Sequence, residues 1–333
     1  MERYVFVTGG AGYIGSAAVE MLLQAGFRVT VYDSLVTGHR AAIPAGAEFI
    51  HADLADEETL RAALSAHPYE AILHFAAFIQ AGESMQNPGM YFRNNVGNAI
   101  RLIDSAVAAG VRHFVLSSTA AVYAPRDEPL DEAAPLGPTN VYGETKLMIE
   151  QILEWYRRTK GLHYAALRYF NAAGALPNRG EDHPHESHLI PLVLQVALGK
   201  RPKIYIFGDD YPTPDGTAVR DYIHIADLVD AHLLVLDALH NADRLVYNLG
   251  NGTGYSVLEV IETARAVTGH PIPAEIAPRR PGDPSRLVAS AERIRRELGW
   301  QPKIPSLHEI IATAWEWHRT HPNGYADSFP TEH

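Results

Sequence analysis

A glycine-rich turn close to the start of the chain sets the strongest limit on its fold. Residues 5–8 (Val-Phe-Val-Thr) have the pattern of a buried strand, and glycines follow at positions 9, 12 and 15, just before a predicted helix. In such a turn Gly9 permits the sharp bend, Gly12 lets the backbone approach a pyrophosphate, and Gly15 lets the helix pack closely on the strand. The spacing is G-x-x-G-x-x-G rather than the commoner G-x-G-x-x-G, so a dinucleotide site needs further support.

The first half of the sequence alternates between strand-like and helix-like segments, as in a parallel sheet with crossover helices. Apolar runs predict strands over residues 4–7, 28–31, 48–51, 71–75, 114–117 and 164–167. Helical patterns lie between them, over residues 13–25, 57–66, 95–109 and 141–158. Because crossovers between parallel strands are right-handed, we predict an α/β fold with a doubly wound parallel sheet of the Rossmann type.

The alternation breaks off after residue 170. Segments 175–220 and 268–333 are richer in proline, glycine and histidine, and they predict a smaller, irregular lobe of mixed structure. A predicted helix over 226–239 and a predicted strand over 245–249 can return to the first lobe. We therefore expect a nucleotide-binding domain at residues 1–170, joined by roughly 222–250, and a substrate lobe at 171–333.

Asp33 narrows the predicted nucleotide to NAD. It stands at the end of the second predicted strand, where a carboxylate accepts hydrogen bonds from a ribose diol and repels a 2′-phosphate. Asp53 follows the third predicted strand, where the amino group of adenine would lie. Together with the glycines, these carboxylates predict an NAD site rather than an NADP site.

Tyr142 and Lys146 lie four residues apart on a predicted helix and therefore share one face. A phenol ordinarily loses its proton near pH ~10. A neighbouring ammonium and a cationic nicotinamide both favour the phenolate, which makes Tyr142 a candidate base. The preceding strand ends in Ser117, Ser118 and Thr119, whose hydroxyls would lie beside the nicotinamide at the carboxyl edge of the sheet.

Each motif has a second copy in the chain that we interpret as structural. Glycines at 250, 252 and 254 also follow a predicted strand, but they stop before the next helix. Ser256 and Glu259 instead predict a capping box at the start of that helix. Tyr156 and Lys160 repeat the tyrosine–lysine spacing at a helix end beside two arginines, which is typical of a solvated helix terminus.

The composition argues against several classes of function. The 333 residues contain no cysteine, which rules out disulfides, thiolate zinc sites and cysteine nucleophiles. A formal net charge of −11 argues against nonspecific binding of nucleic acid, which needs a basic surface. No apolar run approaches the ~18 residues of a membrane span, and no export signal is recognisable. We expect a cytoplasmic protein without nucleic-acid or membrane partners.

These motifs resemble those of the extended short-chain dehydrogenase/reductases, and within that family those of enzymes that epimerise nucleotide sugars at C4. The similarity runs almost end to end, through VTGGAGYIGS, HFAAFIQAGES, YFRNNV, SSTAAVY, NVYGETK, LRYFNAAG, IFGDDYPTPDGTAVRDYIHIADL and RRPGD. The resemblance implies reversible 4-epimerisation of UDP-glucose and UDP-galactose, in galactose metabolism, through a 4-keto intermediate and a tightly held NAD. It implies that Tyr142 takes the proton of the 4-hydroxyl, Lys146 holds the nicotinamide ribose and Thr119 bonds the 4-oxygen.

The same resemblance assigns further residues to the two ligands. For NAD it implies contacts, besides the glycine turn and the catalytic group, from Tyr13, Ile14, Asp33, Gly38, Asp53, Leu54, Phe75, Ala76, Ala77, Ile79, Asn94 and Phe170. For the UDP-sugar it implies contacts from Asn171, His188, Leu189, Ile206, Phe207, Arg220, Arg280 and Asp283. The two arginines suit a pyrophosphate, because guanidinium groups bind phosphate oxygens in pairs. A homodimer is also implied.

Some positions depart from the family or bear on its other activities. Ile79 stands where some epimerases carry a lysine, and His188 stands where others carry asparagine. Ala120 and Ala121 occupy the positions at which 4,6-dehydratases carry an acidic pair, so elimination of water is disfavoured. Bulk near Leu287 affects whether an N-acetyl group fits, which leaves UDP-N-acetylhexosamines and UDP-uronates open as substrates. A dinucleotide-binding sensor without turnover is disfavoured by the retained tyrosine and lysine.

A histidine-rich loop offers donors for a metal ion. The donors are Glu181, Asp182, His183, His185 and His188. The loop contains proline and no regular element that would fix ligand geometry. We therefore expect no metal site, but a solvated loop with one histidine that faces the substrate.

Overall fold

The computed structural model of the chain describes residues 2–280 and 282–326. The strands, numbered along the chain, are β1 (Tyr4–Thr8), β2 (Arg28–Asp33), β3 (Glu48–His51), β4 (Tyr69–His74), β5 (His113–Thr119), β6 (His163–Tyr169), β7 (Asn171–Ala173), β8 (Ile204–Phe207), β9 (Val219–Arg220), β10 (Tyr222–His224), β11 (Arg244–Leu249), β12 (Tyr255–Ser256), β13 (Ala274–Ala277) and β14 (Arg286–Leu287). The helices are α1 (Tyr13–Gln24), α2 (Glu57–Ser65), α3 (Ala81–Gln86), α4 (Pro88–Tyr91), α5 (Asn98–Ala108), α6 (Val141–Lys160), α7 (Leu189–Ala197), α8 (Ile225–Ala238), α9 (Val257–Thr268), α10 (Glu292–Leu298) and α11 (Leu307–Thr320).

Seven of the strands form one parallel sheet in the order β11-β6-β5-β4-β1-β2-β3. Its two faces are both buried, since Val5 and Val7 belong to one apolar core and Phe6, between them, belongs to another. Helices α1 and α8 pack on the first face, and α2, α5 and α6 pack on the second. The predicted doubly wound parallel sheet of the Rossmann type is thereby confirmed.

The remaining strands form small sheets of two or three strands in the C-terminal half. A third apolar core joins α7, α9 and α11 there, around Leu194, Ile261 and Ile310. The segments predicted to be irregular therefore contain three helices that the sequence reading missed, α7, α10 and α11. Residue 281 and residues 327–333, which fall within the predicted substrate lobe, lie outside the described residues.

The predicted helix at 95–109 begins differently in the structure. A π-helical turn, Phe92–Gly97, lies between α4 and α5 and widens the backbone spiral. Asn95 in this turn accepts a hydrogen bond from the Phe78 nitrogen at 2.9 Å and donates one to Thr145 Oγ1 at 3.1 Å. The turn thus ties the loop after β4 to α6. Within the described residues, no helix is long and apolar enough to cross a membrane.

Candidate active site

The glycine turn between β1 and α1 requires two of its glycines for steric reasons. Gly9 has a φ of 74°, and a Cβ there would lie 2.4 Å from the Ala76 nitrogen. A Cβ on Gly15 would lie 2.1 Å from the Gly9 carbonyl oxygen. A Cβ on Gly12 would meet only that same oxygen, at 3.4 Å, which is ordinary contact. Gly12 is the N-cap of α1, and no side chain caps this helix, so the helix N-terminus is open to an anion.

Asp33 stands at the end of β2, beside the glycine turn. Its Oδ2 accepts a hydrogen bond from the Ala11 nitrogen at 2.9 Å, and its Oδ1 accepts one from the Leu35 nitrogen at 2.8 Å. Burial raises the pKa of Asp33, and the two N–H groups oppose that rise. Because a carboxylate oxygen has two acceptor positions, holding the loop and binding a ribose diol are compatible roles.

A cavity of about 380 Å³ extends from the glycine turn to the start of α6, along the carboxyl edge of the sheet. All residues that the sequence assigns to the cofactor line it: Gly9, Gly12, Tyr13, Ile14, Gly15, Asp33, Gly38, Asp53, Leu54, Phe75, Ala76, Ala77, Ile79, Asn94, Thr119, Tyr142, Lys146 and Phe170. Two residues that the sequence assigns to the substrate, Asn171 and His188, line it as well.

The other predicted substrate residues do not line this cavity; they are Leu189, Ile206, Phe207, Arg220, Arg280 and Asp283. Ile206 is buried in the core of the second lobe. Arg220 forms an ion pair with Asp283, and the guanidinium of Arg280 lies 4.0 Å from the centre of the Phe207 ring. Both arginines therefore already have partners, which a phosphate group would have to share or displace.

The start of α6 is pressed against the turn that follows β5. Asn140 caps the helix, and its Oδ1 accepts a hydrogen bond from the Gly143 nitrogen at 2.8 Å. A Cβ on Gly143 would lie 2.3 Å from the Ala121 carbonyl oxygen. This close approach brings the Tyr142 phenol near the Thr119 hydroxyl, which favours the ionised phenol.

Lys146 lies one turn further along α6 and is 1% exposed. Its Nζ donates a hydrogen bond to the Ser117 carbonyl oxygen at 2.7 Å. Burial lowers the pKa of Lys146 to about 8. Burial also raises the pKa of Tyr142 to about 12, against the hydrogen bond from Thr119, which lowers it. In the protein alone, burial therefore dominates the pKa of the Tyr142 phenol.

A buried polar network joins the carboxyl end of β5 to α6 and β6. It was not predicted from the sequence. Arg168, on β6, forms paired hydrogen bonds with the Glu150 carboxylate at 3.0 and 2.6 Å. Ser118 Oγ donates to the same carboxylate at 2.6 Å, and Arg168 also donates to the Tyr123 hydroxyl at 2.8 Å. Glu150 lies four residues after Lys146, so the network fixes both β5 and α6. The signal in the sequence was an arginine within an otherwise apolar strand.

The loop of residues 181–188 is only partly the solvated segment that the sequence predicts, because Pro184, His185, Ser187 and His188 are exposed but Glu181 is buried. Glu181 is 5% exposed, and it lies with His183, His188 and Glu186, a residue that the sequence reading did not single out. Burial alone would lower the pKa of His183, but the two carboxylates raise it to about 9. His185 lies outside this group, and Asp182 instead contacts His39 and the Tyr325 nitrogen.

The second copies of the two motifs have structural roles. Asp221 fills the glycine run at 250–254, where its carboxylate accepts hydrogen bonds from the nitrogens of Asn251 and Gly252, both at 2.8 Å. The predicted capping box of Ser256 and Glu259 is confirmed. Tyr156 donates a hydrogen bond to Asp104 on α5 at 2.6 Å, away from the cavity.

The chain matches known proteins along nearly its whole length. Residues 5–250 match the model of the NAD dependent epimerase/dehydratase family. The UDP-glucose 4-epimerase of Halalkalibacterium halodurans is 51% identical over 326 residues, which are 97% of either chain. A crystal structure of UDP-glucose 4-epimerase aligns with a TM-score of 0.95 at 50% identity, over 98% of this chain and 100% of that one. The structure of UDP-glucose 4-epimerase from Bifidobacterium longum in complex with NAD+ and UDP has a TM-score of 0.91 at 36% identity, over 97% and 100%.

Proposed function

The chain belongs to the NAD dependent epimerase/dehydratase family, and from this membership we propose that it interconverts UDP-glucose and UDP-galactose by epimerisation at C4, with a tightly bound NAD. The family resemblance predicted from the sequence is thereby confirmed. The observation that carries the proposal is the group of Tyr142, Lys146 and Thr119 at the end of a cavity whose other end is the glycine turn.

The cavity residues suit NAD in shape and charge. Gly9 and Gly15 keep the turn free of side chains, and the uncapped N-terminus of α1 faces the same space. Asp33 lines the cavity beside the turn, where a carboxylate favours an unphosphorylated ribose. After its bond to Ser117, the Lys146 ammonium retains two N–H donors for ribose hydroxyls. The other predicted cofactor residues named above also line this cavity.

Inversion at C4 needs a planar carbon, and oxidation of the alcohol to a ketone supplies one without breaking the bond to the nucleotide. NAD bound in the cavity supplies the acceptor that takes hydride from C4 and returns it to the other face. Tyr142 takes the proton of the 4-hydroxyl and gives it back when the alcohol re-forms. The Thr119 hydroxyl forms a hydrogen bond with the same 4-oxygen of the sugar. Burial raises the pKa of Tyr142 to about 12 in the protein alone, and a cationic nicotinamide bound beside the phenol would lower it.

The UDP-sugar residues remain a proposal that rests on the family resemblance. We propose that residues 171–333 form the lobe that binds the nucleotide sugar, while 1–170 and 222–250 bind NAD. Support comes from Asn171 and His188, which line the cavity, and from Arg220 and Arg280, whose guanidinium groups suit a pyrophosphate. Leu189, Ile206, Phe207 and Asp283 complete the proposed set.

The glycine turn gives a prediction that separates its steric role from its binding role. We expect Gly15→Ala to lower the free energy of unfolding by about 3 kcal/mol, because the new methyl group would overlap the Gly9 carbonyl. Gly12→Ala should change the free energy of unfolding by less than about 1 kcal/mol, yet reduce the NAD content of the purified protein. Denaturant titration and cofactor assay measure the two effects. Equal stability of both variants would contradict the steric account.

Two other activities are less well supported. A 4,6-dehydratase needs an acid and a base next to the strand-end hydroxyl, and Ala120 and Ala121 stand there. Epimerisation of a UDP-N-acetylhexosamine or a UDP-uronate uses the same catalytic group and differs only in the space around the sugar. Leu287 lies on β14, which pairs with β9 beside Arg220. Because leucine is intermediate in size, the choice among these sugars must be measured.

The decisive assay supplies UDP-galactose to the purified protein without added NAD and measures UDP-glucose by chromatography. We expect conversion to equilibrium with no net formation of NADH. A 4-keto-6-deoxy sugar would indicate a dehydratase. Absence of any reaction would favour a dinucleotide-binding sensor. Conversion of only N-acetylated or uronic UDP-sugars would show that the substrate proposed here is wrong.

We also propose that the enzyme works as a homodimer in the cytoplasm. Helices α5 and α6 lie side by side, joined by the bond between Tyr156 and Asp104. Each presents a large exposed apolar side chain, Ile100 at 36% and Trp155 at 62% exposure. Exposed apolar groups of this kind on neighbouring helices are typical of an interface between subunits. The cytoplasmic location is the expectation from the sequence, and cell fractionation tests it.

Replacing Trp155 should weaken the proposed dimer. We expect Trp155→Glu to raise the dissociation constant at least ~30-fold, which corresponds to the ~2 kcal/mol of an interface hot spot. Sedimentation velocity over a range of protein concentrations measures the change. Ile276→Glu is the matched control, because Ile276 is 56% exposed on β13 in the other lobe. Unchanged dissociation in the Trp155 variant would exclude this face as the interface.

A further inference from the structure

Four side chains of the loop between β7 and α7 converge at the wall of the cavity. One potential ligand atom from each lies within 4.8 Å of the other three, and the residues are Glu181, His183, Glu186 and His188. Nδ1 of His183 lies 3.4 Å from Glu181 Oε1 and 3.3 Å from Glu186 Oε2, whereas Nδ1 of His188 lies 2.6 Å from Glu181 Oε1. Ligand atoms around a tetrahedral ion with bonds of ~2.0–2.2 Å lie about 3.3–3.6 Å apart. The two distances from His183 are close to those of a metal coordination shell, and a bound ion would have to move His188 away from Glu181.

Glu181 is paired by charge with the histidines, but no hydrogen bond to it is well aligned. Its side chain is 5% exposed, and Nδ1 of His188 lies 2.6 Å from its Oε1, yet no N–H group is aligned with this oxygen for a hydrogen bond. The histidines thus offset the charge of the buried carboxylate without completing its hydrogen bonding. A cation centred among the four side chains would supply a directed partner.

Glu186 is already oriented for such a role. Its Oε1 accepts hydrogen bonds from the backbone nitrogens of Ser187 and His188, both at 2.7 Å. Bonds of this kind fix the direction of a carboxylate that uses its other oxygen as a ligand. The loop thus supplies the ordered geometry that its sequence does not predict.

We propose that these four side chains bind one divalent transition-metal ion, and that Zn²⁺ is the ion that suits them best. Two imidazoles and two carboxylates are donors that Zn²⁺ accepts in four-coordinate sites. The two carboxylates balance the charge of the ion when both histidines are neutral. Mg²⁺ is a poor match, because it prefers oxygen ligands in an octahedral arrangement.

The ion would link the two ends of the loop of residues 181–188. Glu181 stands at one end of the loop and His188 at the other, where it is the N-cap of α7. Both residues line the cavity. A metal bound between them would therefore hold this wall of the cavity in place. The proposal rests on the loop geometry and does not depend on which UDP-sugar is the substrate.

A cobalt titration tests the site. The full chain, prepared without a histidine tag and treated with a chelator, is titrated with Co²⁺ and followed by its visible absorption. We expect saturation at one equivalent per chain with the intense bands of four-coordinate Co²⁺, displacement by Zn²⁺ and no displacement by Mg²⁺. Glu181→Gln and His183→Gln should each weaken binding more than about 100-fold. His185→Gln, in the same loop but outside the cluster, should bind as the parent does.

Circular dichroism and bound NAD content show whether each variant is folded before the titration is interpreted. Absence of a cobalt spectrum in the folded parent protein would overturn the proposal. Equal binding by the Glu181 and His183 variants would overturn it as well. Either result would identify the cluster as two buried histidine–glutamate ion pairs without a metal.

Discussion

Tyr142→Phe is expected to lower kcat for UDP-galactose by about 10²–10⁴-fold, the usual contribution of a positioned acid or base. The variant loses only the phenol hydroxyl near Thr119. The ring remains in the half-buried position that the parent tyrosine occupies, so the fold and the bound NAD should be retained. Initial rates of UDP-glucose formation and the NAD content of the purified variant measure the two effects.

The chain provides its own control for this substitution. Tyr156 and Lys160 have the same spacing, but Tyr156 lies near the other end of the helix, where it bonds to Asp104 and does not line the cavity. Tyr156→Phe should therefore keep kcat within about twofold of the parent. If Tyr142→Phe were as active as Tyr156→Phe, Tyr142 would not be the base, and the mechanism proposed above would fail.

Arg168→Met should be among the most destabilising single substitutions in the sheet. Arg168 and Glu150 form an ion pair of 2.6 Å, and their side chains are 4% and 8% exposed. Removal of the guanidinium leaves a buried carboxylate without its counter-charge, which costs about 3–5 kcal/mol. We expect a fall of that size in the free energy of unfolding, measured by denaturant titration with NAD present in all samples.

Two further variants distinguish loss of the pair from loss of packing. Replacing both partners, Arg168→Met with Glu150→Met, should restore much of the stability, because no buried charge is left unpaired. Arg319→Met removes one partner of an exposed pair with Glu316 and should cost less than about 1 kcal/mol. A double variant no more stable than Arg168→Met alone would show that shape, rather than charge, dominates at this position.

Features that depend on neighbouring residues could be predicted from the sequence. The bounds predicted for β3, Glu48–His51, are those observed. They could be predicted because both ends of this strand-like run are evident in the sequence. Strands β1, β2, β5 and β6 extend one or two residues beyond the prediction at their carboxyl ends, as β5 does to Thr119. Backbone pairing with the next strand continues there after the apolar run has ended. Several of these extra residues, among them Asp33 and Thr119, line the cavity.

Features that depend on distant partners could not be predicted. Glu150 and Arg168 stabilise each other only because α6 and β6 pack together. An arginine within an apolar strand indicates a buried charge, but no local pattern identifies Glu150 as its partner. Glu186 was overlooked because the histidines of its loop suggested a motif that did not include it. The helices α7 and α11 lie between proline-containing segments, and their apolar faces meet only in the third core.

The position of β11 determines when the sheet can be completed during synthesis. β11 pairs with β6 from Arg244 to Leu249, so the edge of β6 has no partner until the ribosome has made those residues and released them. Strands β1 to β6 can assemble earlier, since all the pairs among them lie within residues 4–169. An open parallel edge is the kind of surface through which nascent chains associate with one another. Truncations that end before residue 244 should therefore aggregate, whereas chains that extend past residue 249 can close the edge from within.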